Sequence, residues 1–195
     1  MSEATDHQLM LQVAAGHSER LALLYDRHQR RLFNFFLKLG HGHAASEDLV
    51  QDTFLRMLRH AKSYRSDGCY LPWIYQIARN TAADAWHEVA VLEALAEDEE
   101  ALVPAIGEHE PASVHEQQEL ERRLQRALLR LPRESRELVL LSRVKELDID
   151  ELAQLFGCSN GALKVRLHRS LLQLRNYFDH PHPTDHAGQE ASHAL

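Results

Sequence analysis

Apolar residues recur every three or four positions through most of the chain, and this spacing is typical of amphipathic α-helices. The pattern covers residues 21–36 and then 49–58, and a further helix is predicted from about Pro72. The second of these helices is predicted to start near Ser46 and to carry Leu58 on its apolar face. No stretch alternates between apolar and polar residues for long enough to predict a strand. The pattern therefore predicts an all-α fold made of two small helical domains.

The strongest local pattern lies in residues 147–175, which read LDIDELAQLFGCSNGALKVRLHRSLLQLR. Asp148 followed three residues later by Glu151 predicts an acidic capping box at a helix start. Gly157 suits a tight helix end, because glycine adopts positive φ angles at no steric cost, and Ser159 then caps a second helix. A helix, a turn with glycine and another helix predict a helix-turn-helix.

The second helix of this pair has an apolar side and a basic side. At about 100° per residue, Leu163, Leu167 and Leu174 fall together and are predicted to pack inward. The outward stripe suits a major-groove reader, because arginine can fork onto guanine and a small apolar side chain can meet a thymine methyl. A solvated basic face is the competing interpretation. The candidates for contacts to duplex DNA are Asn160, Lys164, Val165, Arg166, His168 and Arg169.

Charge is distributed unevenly along the chain. The formal net charge of −7 taken alone argues against nucleic-acid binding. However, residues 94–121 hold nine acids and no Lys or Arg, whereas residues 122–178 hold twelve bases and six acids. The acidic segment contains Pro104 and Gly107 and is predicted to be a linker, either simply solvated or lying against the basic face of the second domain. We expect weak DNA binding by the free protein.

Other chemistry is sparse in the sequence. Cys69 and Cys158 lie far apart and are predicted to be free thiols in a reducing cytosol. There is no signal peptide and no apolar run near the about 18 residues of a membrane span, so a cytoplasmic protein without membrane insertion is expected. The 14 histidines match no closed metal site, so no metal and no cofactor is predicted. A phosphate loop, a metal-binding HExxH helix and a nucleophile elbow are all missing, so no enzyme is predicted.

Several longer motifs together resemble one family. LYDRHQRRLF, SEDLVQDTFLRML and PWIYQIARNTAAD in the first half resemble domain two of sigma factors. LPRESRELVLL and the helix-turn-helix that follows it resemble domain four. Two domains in this order without a domain three resemble the extracytoplasmic-function (ECF, group IV) sigma factors. The domains are accordingly predicted as 1–93 (domain two), 94–116 (acidic linker), 117–178 (domain four) and 179–195 (disordered tail).

The resemblance implies a non-enzymatic factor that binds core RNA polymerase, at the β′ clamp helices and the β flap, and directs it to promoter DNA. Domain two would take the minus-ten element and domain four the minus-thirty-five element. An anti-sigma factor is expected as a partner. The resemblance implies polymerase docking by Asp48, Gln51 and Asp52, and minus-ten contacts by Lys62, Tyr64, Arg65, Arg79 and Asn80.

Two alternatives stay open at this point. One is a helix-turn-helix regulator that binds duplex DNA without polymerase, and a docking helix beside a minus-ten reader argues against it. The other is a sigma-like interaction protein with weakened DNA binding, because the run of arginines usual in the family after Asp84 is missing. In the recognition helix, Ala162 and Val165 replace the usual threonine and small polar residue, so base preference is expected to differ.

Overall fold

The computed structural model of the chain describes residues 4–65, 68–95 and 115–180. These ranges contain eight α-helices and no strand, which confirms the all-α prediction. The predicted disordered tail lies outside the described residues from position 181 onward, as does the predicted linker from 96 to 114. The helices are α1 (Asp6–Ala14), α2 (Leu21–Leu39), α3 (His43–His60), α4 (Tyr70–Leu95), α5 (His115–Arg130), α6 (Arg133–Leu141), α7 (Ile149–Leu155) and α8 (Asn160–Asp179).

The first block consists of α1 to α4 and has one apolar core. Leu32 and Phe36 of α2, Met57 of α3 and Ile74 of α4 are almost completely buried in it. Packing of α1 against α2 is reinforced by Asp6, whose carboxylate lies 2.6 Å from the buried His28 ring and accepts a 2.7 Å hydrogen bond from Arg27. The core therefore fixes the relative positions of α2, α3 and α4, which carry most of the candidate residues of this block.

Two details of the first block differ from the sequence predictions. The helix that was predicted to start near Ser46 is α3, and it begins at His43. Ser46 is buried one turn inside α3, where its hydroxyl lies 3.5 Å from the His41 carbonyl oxygen. The earlier start follows from Gly40, which ends α2 with a φ of 107° and lets the chain turn at once. The prediction that Leu58 is on the apolar face is wrong, because its side chain is 41% exposed.

The second block consists of α5 to α8, and its helix-turn-helix agrees with the sequence. The Asp148 carboxylate accepts a 2.8 Å hydrogen bond from the Glu151 amide, and the Glu151 carboxylate accepts one of 3.0 Å from the Asp148 amide. Gly157 has a φ of 60°, and the Ser159 hydroxyl caps α8. Leu163 is completely buried, and Leu167 and Leu174 pack partly buried against the core.

The two blocks pack against each other, which the sequence analysis did not predict. Leu138 and Leu141 of α6, with Leu155 of α7, belong to the same apolar cluster as the core of the first block. Arg136 ties the blocks together because its guanidinium donates to the Leu39 carbonyl of α2 and, at 2.7 Å, to the Leu129 carbonyl of α5. Burial lowers the pKa of Arg136. We call this packed state of the two blocks the docked arrangement.

Candidate nucleic-acid interface

The predicted DNA-reading stripe of α8 lies on the surface of the second block. The side chains of Lys164, Val165, His168 and Arg169 are exposed, and Val165 is 50% exposed. The buried Leu163 and the partly buried Leu167 and Leu174 hold α8 against the core, and the Ser159 hydroxyl caps its N-terminus. The stripe therefore presents two cations, an imidazole and an apolar side chain to the solvent on one rigid helix.

Two other candidates on α8 are held by neighbouring acids. Asn160, at the first turn, donates to the Asp150 carboxylate of α7. Arg166 lies at the edge of the stripe, and its guanidinium donates a 2.8 Å hydrogen bond to Glu134 of α6. The Glu134 side chain is 74% exposed and that of Arg166 is 37% exposed, so the pair is solvated. A solvated pair of this kind exchanges readily for contacts to phosphate.

Arg79, a candidate of the first block, points into the docked arrangement. Its Nε donates a 2.8 Å hydrogen bond to Glu137 of α6, and a terminal nitrogen donates one of 2.8 Å to the Leu155 carbonyl of α7. The guanidinium carbon also lies 4.2 Å from the centre of the Phe156 ring. The Arg79 side chain is 17% exposed, so it is covered by the second block.

The remaining minus-ten candidates divide into exposed and buried side chains. Lys62, Arg65 and Asn80 are exposed, and Asn80 accepts a 3.0 Å hydrogen bond from Gln76. Tyr64 is buried, with 7% of its surface exposed, and its hydroxyl lies 2.7 Å from His7 Nδ1.

Tyr64 also packs against Trp73, and the two ring centres are 5.0 Å apart. Burial raises the pKa of Tyr64 to about 12. Because His7 and Trp73 of the same block cover the Tyr64 ring, it offers no free face on which a base could stack, and the predicted stacking role of Tyr64 does not fit the structure. Trp73 is partly buried and packs against the core.

The residues predicted to contact polymerase lie along the outer face of α3. Asp48 and Gln51 are exposed, whereas Asp52 accepts a 2.8 Å hydrogen bond from Arg56. The Arg56 guanidinium also donates to Asp84 of α4, and this bond raises the pKa of Arg56. Arg56 thereby fixes α3 against α4.

Sequence reasoning missed the apolar part of this outer face of α3. Leu55 is 52% exposed and Leu58 is 41% exposed. Because residues four and seven positions after Gln51 share its face, the two leucines lie beside the polar docking candidates. The spacing of these residues was the signal that could have revealed them. Leu55 and Leu58 lie about one helical turn apart and form a small exposed apolar patch beside Asp48 and Gln51.

Both blocks match known families, and the matches cover most of the described helices. Residues 24–89 match Sigma-70 region 2, and residues 121–174 match Sigma-70, region 4. The RNA polymerase sigma factor CarQ of Myxococcus xanthus is 34% identical over 160 residues, which span 82% of this chain and 90% of CarQ. The chain belongs to the RNA polymerase sigma factors. The predicted family is thereby confirmed.

Further relatives place this sigma factor in the ECF group. The ECF RNA polymerase sigma factor SigE of Mycolicibacterium smegmatis is 31% identical over 79% of this chain and 60% of SigE. The structure of CnrH in complex with the cytosolic domain of CnrY matches with a TM-score of 0.66 and 23% identity, over 89% of this chain and 97% of CnrH. At this identity the match with CnrH shows the fold alone. The assignment of individual residues to DNA or polymerase stays a prediction.

Two further properties concern the described part of the sigma factor. No helix within residues 4–65, 68–95 and 115–180 combines the length and the apolar character needed to cross a membrane. Over the same ranges, His, Cys, Asp and Glu side chains form no group of three or more that could hold a metal ion.

Proposed function

We propose that this sigma factor docks on core RNA polymerase through the outer face of α3 and reads the minus-thirty-five element through α8. The exposed stripe of α8 carries the proposal. Lys164 and Arg169 supply positive charge for phosphates and guanine, and Val165 supplies an apolar contact for a thymine methyl. No basic side chain of this stripe is needed for the apolar core, so the stripe is available for DNA.

The outer face of α3 supports the proposed polymerase contact. It combines the exposed Asp48 and Gln51 with the exposed Leu55 and Leu58. Apolar side chains supply most of the free energy of a protein interface, and polar neighbours set its register. No other described residue covers this outer face of α3 in the docked arrangement, so the described part of the chain leaves the surface accessible.

Minus-ten recognition is assigned to α4 and the loop before it. Arg79 is suited to a phosphate or to stacking on a base, and Asn80 to hydrogen bonding with a base edge. Lys62 and Arg65 add exposed positive charge near the start of α4. Because Arg79 is covered in the docked arrangement, minus-ten binding requires the two blocks to separate.

The remaining assignments rest on the family. We infer that the protein is an initiation factor without catalysis of its own, that it acts in the cytoplasm where core polymerase is found, and that an anti-sigma factor binds it. CnrH is described in complex with CnrY, and the Bartonella quintana sigma factor RpoE in complex with the anti-sigma factor NepR. The exposed leucines of α3 and the exposed basic stripe are the surfaces that such a partner would cover.

Run-off transcription with core polymerase on a genomic promoter pool tests the proposed function. We expect transcripts with the wild-type chain and a loss of about tenfold with Arg169→Ala, because one good base contact is worth about 1–3 kcal/mol. Arg175→Ala is the matched control: it removes an exposed arginine about 9 Å further along the same helix. Equal activity of the two variants would contradict the assignment of Arg169.

A second pair of variants tests the proposed polymerase contact of the outer face of α3. Asp48→Ala should weaken binding to core polymerase, whereas Asp26→Ala, which removes an exposed acid of α2, should not. A wild-type chain that binds duplex DNA but yields no transcripts with core polymerase would favour a polymerase-independent regulator instead.

A further inference from the structure

We propose that Glu137 is an intramolecular competitor for the promoter strand, and that it holds the free sigma factor in the docked arrangement by occupying Arg79. This inference rests on the proposed assignment of Arg79 to the minus-ten element. It adds a regulatory contact between the two DNA-binding blocks, formed by a carboxylate that the family resemblance did not single out.

The contacts of Arg79 reproduce what a DNA strand would offer. Glu137 supplies an anion at 2.8 Å, the Leu155 carbonyl supplies a second acceptor at 2.8 Å, and the Phe156 ring supplies a π face at 4.2 Å. Phosphate, base edge and base ring are the corresponding groups of a single strand. All three protein contacts come from α6, α7 or the residue after α7. The second block therefore occupies the binding capacity of Arg79.

Glu137 is held in place by more than Arg79. Its side chain is 3% exposed, and its other oxygen accepts a 3.0 Å hydrogen bond from Arg133 of the same helix. The Arg133 guanidinium lies 4.3 Å from the centre of the Trp86 ring of α4. In the docked arrangement both oxygens of this buried carboxylate therefore accept a hydrogen bond, one from Arg79 and one from Arg133. Removing Arg79 would leave one buried oxygen without that partner, which is costly.

A second ion pair between the blocks is exposed, unlike the pair of Arg79 and Glu137, and supplies the control. Arg31 of α2 donates a 2.9 Å hydrogen bond to Glu146 of the loop after α6. These side chains are 50% and 49% exposed, respectively. Exposed ion pairs contribute little, so Glu146→Gln changes the same chemical group between the same two blocks with little expected effect.

Single-molecule energy transfer on the full chain measures the docked fraction. Dyes are attached at Arg59→Cys on α3 and Asn176→Cys on α8, both exposed positions, in a Cys69→Ser and Cys158→Ser background. Glu137→Gln should raise the separated fraction at least about tenfold, because Arg79 then donates to a neutral amide oxygen instead of a carboxylate and the amide NH2 group faces an arginine. Glu146→Gln should leave that fraction unchanged. An unchanged separated fraction in Glu137→Gln would overturn the proposal.

Binding of single-stranded DNA tests whether Glu137 competes for Arg79, separately from its effect on docking of the two blocks. The probe is a fluorescein-labelled 20-nucleotide single-stranded DNA of randomised sequence, followed by anisotropy. Glu137→Gln should bind it about tenfold more tightly, in proportion to the separated fraction. Arg79→Gln should separate the blocks at least as much, because it also loses the contacts to Leu155 and Phe156, and should gain no affinity. Separation without a gain in Glu137→Gln would overturn the competitor role.

The transfer measurement contains neither polymerase nor promoter, so its result is independent of the run-off assay. Arg79→Gln breaks the same contact from the first block and keeps the test decisive if Glu137→Gln fails to fold. An Arg79→Gln chain that stays docked to the wild-type extent would overturn the proposal as well.

Discussion

Acidification is predicted to destabilise the folded chain through His41, which follows Gly40 at the end of α2. The His41 ring is stacked on Trp86 of α4, with ring centres 4.2 Å apart, and meets the Phe36 ring edge-on. Its Nε2 is buried, and the described residues provide no hydrogen-bond partner for it. Burial, with the nearby charges of Arg133 and Arg136, lowers the pKa of His41 to about 4.

The sign of the effect follows from the two protonation states. The pKa of an unfolded histidine is about 6.5, so the unfolded chain binds a proton at His41 between pH 6.5 and pH 4 while the folded chain does not. Stability at this site is therefore present above pH 6.5 and is lost as the pH falls through that window. With these two pKa values, the loss between pH 7 and pH 5 is about 2 kcal/mol.

Urea unfolding followed by circular dichroism at pH 7 and pH 5 measures this loss. His41→Phe keeps a ring between Trp86 and Phe36 but removes the basic nitrogen, so its loss should be about 2 kcal/mol smaller than that of the wild type. Burial also lowers the pKa of His28, which faces Asp6. This contribution is common to both proteins and cancels in the difference.

The exposed His43, two residues further along, supplies the matched control. His43→Phe should show the wild-type difference between the two pH values, because the His43 side chain is 72% exposed. If His41→Phe lost as much stability as the wild type on acidification, the reasoning from burial and from the two arginines would be refuted.

Three further changes test separate parts of the structure. Gly40→Ala should lower the free energy of unfolding by at least about 1–2 kcal/mol in urea titrations, because the position has a φ of 107° and a Cβ would lie 2.7 Å from Leu129; unchanged stability would contradict the contact. Leu55→Ser should raise the Kd for core polymerase about tenfold without changing Tm, whereas Leu23→Ser, at an exposed site on α2, should change neither. Asp148→Ala should cost about 1 kcal/mol through loss of the α7 cap, seen as a lower Tm, and an unchanged Tm would show that the cap is dispensable.

The helix-turn-helix was predictable from the sequence because its determinants are local. The capping box joins residues three positions apart, and Gly157 needs only its own backbone angles to end α7. The inward side of α8 follows from helical spacing alone, and Leu163 is buried accordingly. Family resemblance added the two-domain order, which no local pattern contains.

The docked arrangement was not predictable, because its contacts join residues far apart in the sequence. Arg79 and Glu137 are 58 positions apart, and each taken alone resembles a solvent-facing charge on an amphipathic helix. Tyr64 has the same difficulty: an aromatic residue between two cations suggests a base-stacking site, but α1 covers it through His7. Pairing of this kind depends on three-dimensional packing, which periodicity does not encode.

The docked arrangement also suggests an order of events for initiation. The leucines of α3 stay exposed while Arg79 is covered, so on the proposed assignments polymerase can bind the sigma factor before the promoter strand can. If polymerase binds the separated form more tightly than the docked form, it shifts the equilibrium between them toward the separated form. The size of the shift is the ratio of the two affinities. Arg79 would then be released only within the holoenzyme. Weak DNA binding by the free protein would thus come from the covered Arg79 as well as from the net charge of −7.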